Sequence, residues 1–237
     1  MKSNQYVTLL ALCTTSLLTA CTTLPTARPL HPGEHQAGVS LGGPMVNYGG
    51  THIPLPNAVV EGRSGIRYIR LKPLDINYGL NVTAAAFGIA QLHLGTSYLL
   101  LDENGFIPAL SMTNRLFVAT NALTPQDKAP GTKQAWGAHQ LAFTASYMIK
   151  NQLIYLGLDQ YTDFGLPQLL LTPSLGVEFA PGHAKDLKFH LEARYYAINK
   201  TKSLDTVEWT THPRGAFGFG LGLSYTFGQR GCSCSVK

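Results

Sequence analysis

One apolar run carries an ionisable side chain at every second position. In Lys188-Phe-His190-Leu-Glu192-Ala-Arg194 the charges alternate strictly with apolar residues, although only 13% of the 237 residues are charged. These types suit several chemistries. Glu192 and neutral His190 are proton acceptors, Lys188 and Arg194 could hold an anion, and together they form ion pairs. Spacing decides what they share. Alternate residues of a strand lie on one face, roughly 6.6 Å apart. Glu178 in the preceding run, with Arg115, Asp159 and His93 upstream, supplies further charge of both signs. Enclosed charges that stay unpaired cost several kcal/mol each. The expected cluster of Arg115, Asp159, Glu178, Lys188, His190, Glu192 and Arg194 therefore reads first as a mutually satisfied ladder, with a polar path for a small solute and a catalytic group as the alternatives. The open question is whether Glu178, Glu192 and Asp159 neutralise Lys188, Arg194 and Arg115 or leave a path between them.

Other chemistry is thinly represented. The formal charge is +5 and the pI about 9, but the basic residues are scattered without a run, which argues against a nucleic-acid partner. Gly218-x-Gly220-x-Gly222 lacks the spacing and following helix of a dinucleotide fingerprint. Cys232 and Cys234 have no nearby ligands for a metal site and sit in an expected exposed tail. No cofactor and no metal are expected. Asp127, Asp163, Asp205, Glu208 and His212 fall in or near connecting segments. Asp205 to His212 is the best acid–histidine cluster among them, and a solvated loop is its plainer reading.

The elements that must position the ladder are strands. From Asp186 to Ala197 one face carries Leu187, Phe189, Leu191, Ala193, Tyr195 and Ala197, and the other is almost wholly ionisable. Phe217, Phe219, Leu221, Leu223, Tyr225 and Phe227 likewise oppose Gly218, Gly220, Gly222, Ser224 and Thr226. Period-two alternation predicts ten strands, at 35–46, 63–72, 75–84, 90–101, 106–119, 135–149, 152–162, 167–180, 185–198 and 216–228. A phase break at Ile66-Arg67-Tyr68 predicts a bulge. Short connections alternate with longer ones, as in hairpins with short periplasmic turns and long outer loops. The segment from Val46 to Gly62, with Gly42-Gly43-Pro44 and Pro54-Leu-Pro56, reads as an irregular loop, and Ala84 to Ile89 as a tight bend or short helical turn. No mature stretch reaches about 18 consecutive apolar residues, so no transmembrane helix is expected.

The pattern implies an all-β fold, a closed antiparallel up-and-down transmembrane β-barrel. Alternation alone fits a soluble barrel too, with its apolar face inward. The polar faces decide the expectation. They are rich in Gly, Ser, Thr and Asn, too bare for solvent but suited to a narrow lumen. The strands reach the length needed to cross the hydrocarbon, about 9–11 residues. Tyr68, Tyr98, Tyr147, Tyr155, Tyr195 and Tyr225 lie toward strand ends, where girdle aromatics belong.

Two resemblances add to this. Gly222, Tyr225 and Phe227 in Gly220-Leu-Gly-Leu-Ser-Tyr-Thr-Phe227 resemble the terminal strand of bacterial outer-membrane β-barrels, which implies reading by the barrel assembly machinery. A tail, Gly228 to Lys237, follows where many members stop. Lys2 and the apolar stretch Tyr6 to Leu18 form a secretory signal pattern. Its end, Leu18-Thr19-Ala20-Cys21, resembles the bacterial lipobox, which implies cleavage before Cys21 and acylation there, palmitate included. The expected division is a signal peptide at 1–20, a linker at 21–34, the barrel at 35–228 and a tail at 229–237. The expected place is the bacterial outer membrane, lipid-anchored at Cys21, with both termini periplasmic. The expected partners are outer-membrane lipid, the assembly machinery and a small-molecule ligand. A narrow pore, a small-ligand site or a structural surface role fits the barrel. The alternatives are an envelope lipid- or peptide-modifying barrel enzyme, since the omptin proteases resemble this architecture, and a soluble periplasmic lipoprotein barrel carrying an apolar ligand.

Overall fold

The computed structural model describes residues 27–48, 51–121, 135–164, 166–182, 186–200 and 214–228. Eleven strands occur among them: β1 (Glu34–Tyr48), β2 (Thr51–Pro54), β3 (Asn57–Ile69), β4 (Lys72–Asn81), β5 (Ile89–Leu101), β6 (Ala109–Asn121), β7 (Ala135–Ile149), β8 (Gln152–Asp163), β9 (Leu166–Phe179), β10 (Leu187–Tyr196) and β11 (Ala216–Gly228). Each pairs antiparallel with its neighbour, and β1 pairs with both β3 and β11. Ten strands thus close an up-and-down barrel. The short β2 pairs only with the end of β1, outside the ring.

Most strand boundaries fall where alternation places them, and the departures have local causes. The segment after β1 is a hairpin, not an irregular loop: Met45 to Tyr48 pairs with Thr51 to Pro54. The next barrel strand starts at Asn57 rather than at residue 63, because Val59, Val60 and Glu61 continue the pairing with β1. The turn that follows is Arg70-Leu71, both in the left-handed region (φ 50° and 67°), not Pro73-Leu74. Two such residues make the tight hairpin turn whose twist matches the flanking strands. The fourth strand ends at Asn81, whose side chain caps the short helix α1 (Val82–Ala86) by accepting from Ala84 N at 3.0 Å. The bulge lies between Gly65 and Arg67.

The faces settle the orientation. Val60, Leu92, Leu94, Leu116, Val118, Leu156, Leu175, Leu191, Phe219 and Leu221 point outward and are exposed. Asp75, Asn77, Ser97, Thr113, Arg115, Thr144, Asp159, Glu192 and Arg194 point inward and are buried. This is the reverse of a soluble barrel. The outer wall is a hydrocarbon-facing surface, and the inward side chains of the described strands are largely polar. Both described ends of the chain, Ala27 and Gly228, lie at the rim that carries the β3–β4, β5–β6, β7–β8 and β9–β10 turns.

Leu94 is 61% exposed on the outer wall near the middle of β5. Replacing Leu94 by Arg should therefore cost about 2–4 kcal/mol of stability in phospholipid bilayers, as a charge at the hydrocarbon midplane does. Urea titration of the protein refolded into vesicles measures it; a cost below about 0.5 kcal/mol would mean a water-facing wall.

Candidate functional site

The lumen holds three hydrogen-bonded groups, each built across neighbouring strands. The first lies on β7 to β10. Antiparallel register sets His190 opposite Glu178 and Glu192 opposite Gly176. Lys188 Nζ reaches Glu178 Oε1 at 2.5 Å, and His190 Nδ1 lies 3.6 Å from Glu178 Oε2. Arg194 donates to Glu192 through Nε and pairs through Nη1 with Asp159 Oδ2 at 3.3 Å. Tyr155 O–H donates to Glu192 Oε2 at 2.9 Å, and Gln140 Nε2 donates to Asp159 Oδ2 at 2.8 Å.

A second group occupies β4 to β6. Arg115 donates through Nε to Asn77 Oδ1 at 3.0 Å, Asn77 donates to Ser97 Oγ, and Thr113 donates to the same hydroxyl. Glu61 and Asp159 face Arg115 within electrostatic range. Arg115 thus has carboxylates of other strands as its counter-charge. The question of neutralisation divides accordingly. Glu178 serves Lys188 and His190, while Glu192 and Asp159 both serve Arg194.

The third group is a floor at the turn-bearing rim. Arg63 Nη2 meets Asp75 Oδ2 at 2.5 Å, and its Nη1 donates to Gln36 Oε1 at 3.0 Å. Gln36 Nε2 donates to Ser224 Oγ at 3.1 Å, and Ser224 lies 2.9 Å from His190 Nε2. The floor therefore joins the first group through His190.

Large luminal side chains stand over glycines on the adjacent strand. A Cβ at Gly176 would lie 2.3 Å from Tyr155 Cζ, one at Gly79 2.4 Å from His93 Cε1, and one at Gly95 2.7 Å from Arg115 Cγ. Each pair is in register, Tyr155 with Gly176, His93 with Gly79, Arg115 with Gly95. The absent Cβ is what lets a phenol, an imidazole or a guanidinium lie flat along the wall.

The floor carries a feature no spacing rule revealed. Residues Ala27 to Gly33, in the expected linker, run into the lumen. Ala27 packs on Leu153 and Tyr155 of β8, and its carbonyl accepts from Ser111 Oγ at 2.9 Å. Arg28 donates to Ser146 Oγ at 3.1 Å and pairs with Glu103 of the β5–β6 turn. The Arg28 carbonyl accepts from Arg63 Nη2 at 2.7 Å, and Leu30 N–H donates to Asp75 Oδ2 at 2.9 Å. Gly33 N–H donates to Gly65 O at 3.1 Å. This strap crosses from the β1–β3 wall to β8.

Of the expected assembly residues, Tyr225 and Phe227 point outward and Gly222 sits opposite Ser40 and His190. Cys21, Cys232, Cys234, Asp127, Asp205, Glu208 and His212 lie outside the described residues, and Asp163 ends β8. Among the described residues no three His, Cys, Asp or Glu side chains converge on a metal-sized site. Gln36, Glu61, Arg63, Asp75, Asn77, Gln140 and Tyr155 join these groups beyond the residues expected from sequence. The inward phase of their strands was the available signal.

No family model matches the chain, and no curated protein does. Solved structures do resemble it. The translocator domain of the autotransporter NalP from Neisseria meningitidis is 8% identical, with 93% of this chain and 98% of that chain covered and a TM-score of 0.45. An outer-membrane channel from Pseudomonas putida F1 is 10% identical, with 87% and 100% covered and a TM-score of 0.47. An outer-membrane protease from Escherichia coli is 13% identical, with 83% and 97% covered and a TM-score of 0.30.

Arg194 is only 2% exposed and serves two carboxylates. Arg194→Ala should destabilise the barrel by about 3–5 kcal/mol, because it strands Glu192 and Asp159. Adding Glu192→Gln and Asp159→Asn should recover most of that loss. Unfolding midpoints in urea decide it; a single variant as stable as the parent would show that the ladder does not hold the wall. At the rim, the Arg28 hydrogen bond holds the Glu103 carboxyl below the usual carboxylate range, and Met148 N–H adds to this. The pairing therefore operates above that range and is lost as pH falls through the lowered value. Carbon-detected titration of Glu103 should show the lowered midpoint, and Arg28→Ala should return it toward the ordinary glutamate value.

Proposed function

We propose that the chain is a lipid-anchored barrel of the bacterial outer membrane, non-catalytic, with a lumen occluded at rest. The carrying observation is the strap. Ala27 to Gly33 spans the floor and bonds to β3, β4, β6 and β7. The paired charges behind it support the same reading. Lys188, Arg194 and Arg63 each contact a carboxylate, so they brace the wall rather than await a substrate.

The wall and the ends support this location. An apolar outer face over a closed ring of antiparallel strands fits a transmembrane barrel, and bacterial members keep their short turns in the periplasm. Ala27 and Gly228 lie at the rim with those turns. An acylated Cys21 in the inner leaflet would precede Ala27 by six residues, about 20 Å when extended. Outer-membrane lipid then meets the belt. The assembly machinery would read Gly222, Tyr225 and Phe227 on β11, the strand that closes on β1. A small-molecule ligand, if one is taken, would bind at the loop end.

Conductance tests the occlusion. The full chain in planar bilayers should stay closed at moderate voltage; steady pore-like conductance in the unaltered protein would sink the reading. Labelled palmitate tests the anchor. It should enter the parent and be absent from Cys21→Ala, and equal labelling of the two would remove the anchor from the proposal.

A further inference from the structure

We propose that Ala27 to Gly33 is a releasable plug, and that the ion pair between Arg28 and Glu103 is its latch. The inference rests on the occluded-lumen reading above and adds how the occlusion is undone.

Closure of the barrel does not use the strap. β1 pairs with β11 from Glu34 and with β3 from His35 onward. The strap makes one backbone bond to a strand, Gly33 N–H to Gly65 O, at its hinge. Everything beyond the hinge is held by side chains of the wall.

Those wall groups have partners of their own. Arg63 and Asp75 face each other at 2.5 Å, and Arg63 also donates to Gln36. Ser111 Oγ lies 3.4 Å from Thr144 O as well as 2.9 Å from Ala27 O. Withdrawing the strap therefore leaves the buried charges of the wall paired, and only Glu103, which water reaches, loses its partner. A segment whose departure orphaned a buried guanidinium would be fixed in place. This one is not.

The apolar hold is small. Ala27 touches Leu153 and Tyr155, and Pro29 and Leu30 are the other buried apolar side chains of the strap. An alanine buries little area, so it contributes little to closure.

The strap's one Arg points to the rim instead of the lumen. Its side chain is 30% exposed and that of Glu103 23%, so water reaches the pair. Glu103 stands on a braced turn. Met148 N–H donates to the same carboxylate at 3.1 Å, and Tyr147 O–H donates to Gly105 O at 2.5 Å. Asp102 is engaged with Lys72 at 3.3 Å. The post is fixed to β7 and the bolt is a single side chain, which is the geometry of a catch.

Gly65 offers an independent handle. A Cβ there would lie 1.9 Å from His31 O and 3.0 Å from Leu30 O. Any side chain at this position lifts the strap off the wall without touching Arg28 or Glu103.

The test reads access to the space behind the plug. Ser97 is fully buried, points into the lumen and is the register partner of Asp75. Ser97→Cys is introduced into the full chain with Cys13, Cys232 and Cys234 replaced by serine and Cys21 kept, since acylation occupies its thiol. The purified, folded protein is then treated with a membrane-impermeant maleimide. Labelling should be slow in this parent and roughly tenfold faster when Glu103→Gln or Gly65→Val is added. The heat-modifiable band should persist in both. A disulfide formed between Ala27→Cys and Leu153→Cys before labelling should return the Glu103→Gln protein to the slow rate.

Equal rates in the three folded proteins would overturn the latch. So would a parent that labels as fast as Glu103→Gln. Loss of the folded band in both variants would show that the strap is part of the wall and overturn the plug. Slow labelling throughout with a non-conducting parent fails this inference alone. A conducting parent fails the occlusion beneath it.

Discussion

Confinement of charge governs this barrel. The ring of strands leaves no route for water from the hydrocarbon side, so every ionised group on the inner face must find its partner inside. Lys188, His190, Glu192 and Arg194 meet that demand because β10 lies against β9 in one register. A slip by one residue would place all four in lipid and turn Phe189, Leu191 and Ala193 into the lumen. At about 2–4 kcal/mol for each basic side chain near the midplane, the slipped arrangement is excluded. The ladder that looks like a site thus sets the register of the wall that carries it.

Space is the second half of the same constraint. Ten strands enclose a narrow interior, and long polar side chains cannot all point at its axis. They lie along the wall, and glycine on the neighbouring strand makes room. Tyr155 over Gly176 is the clearest case, since it delivers the phenol O–H to Glu192 and so bonds β8 to β10 across β9. Gly218 serves the same end near the opposite rim, where a Cβ would lie 2.7 Å from Tyr196 Cε2. The glycines of this chain are complements to particular large residues, and their cost in strand propensity is offset by the pairs they permit.

The fold was largely legible because lipid imposes a period. Outward Leu, Val and Phe at every second position mark strands such as β10 and β11 without reference to their neighbours. The luminal partners were less legible, because pairing depends on register, which is a relation between strands. Glu178 with Lys188 could be read from adjacent runs, whereas Glu61 facing Arg115 depends on curvature that closes the ring. The β1–β2 hairpin was hidden by Gly42, Gly43 and Pro44, whose turn chemistry suggested a loop although Met45 to Tyr48 still pairs. The strap left no trace at all. Its contacts are made mainly by its own carbonyls and N–H groups, and backbone atoms carry no sequence signature.

That last point bears on how a barrel can be closed. A plug made of apolar side chains would be visible in sequence and hard to remove, because each buried methylene adds to its hold. A plug held through its backbone depends on the wall. Arg63, Asp75 and Ser111 grip two carbonyls and one N–H whatever side chains the strap bears. The strap's own residues are then largely free to do other work, and two side chains tie it to the rim, Arg28 at Glu103 and His31 beside Tyr68 at 3.3 Å. Affinity resides in the barrel and release in the side chains at the rim. Substitutions at Ala27, Pro29 and Leu30 should then alter closure far less than substitutions at Gly65 or Arg63, whereas Arg28, His31 and the left-handed hinge residue Gly33 (φ 84°) are the sensitive positions of the strap.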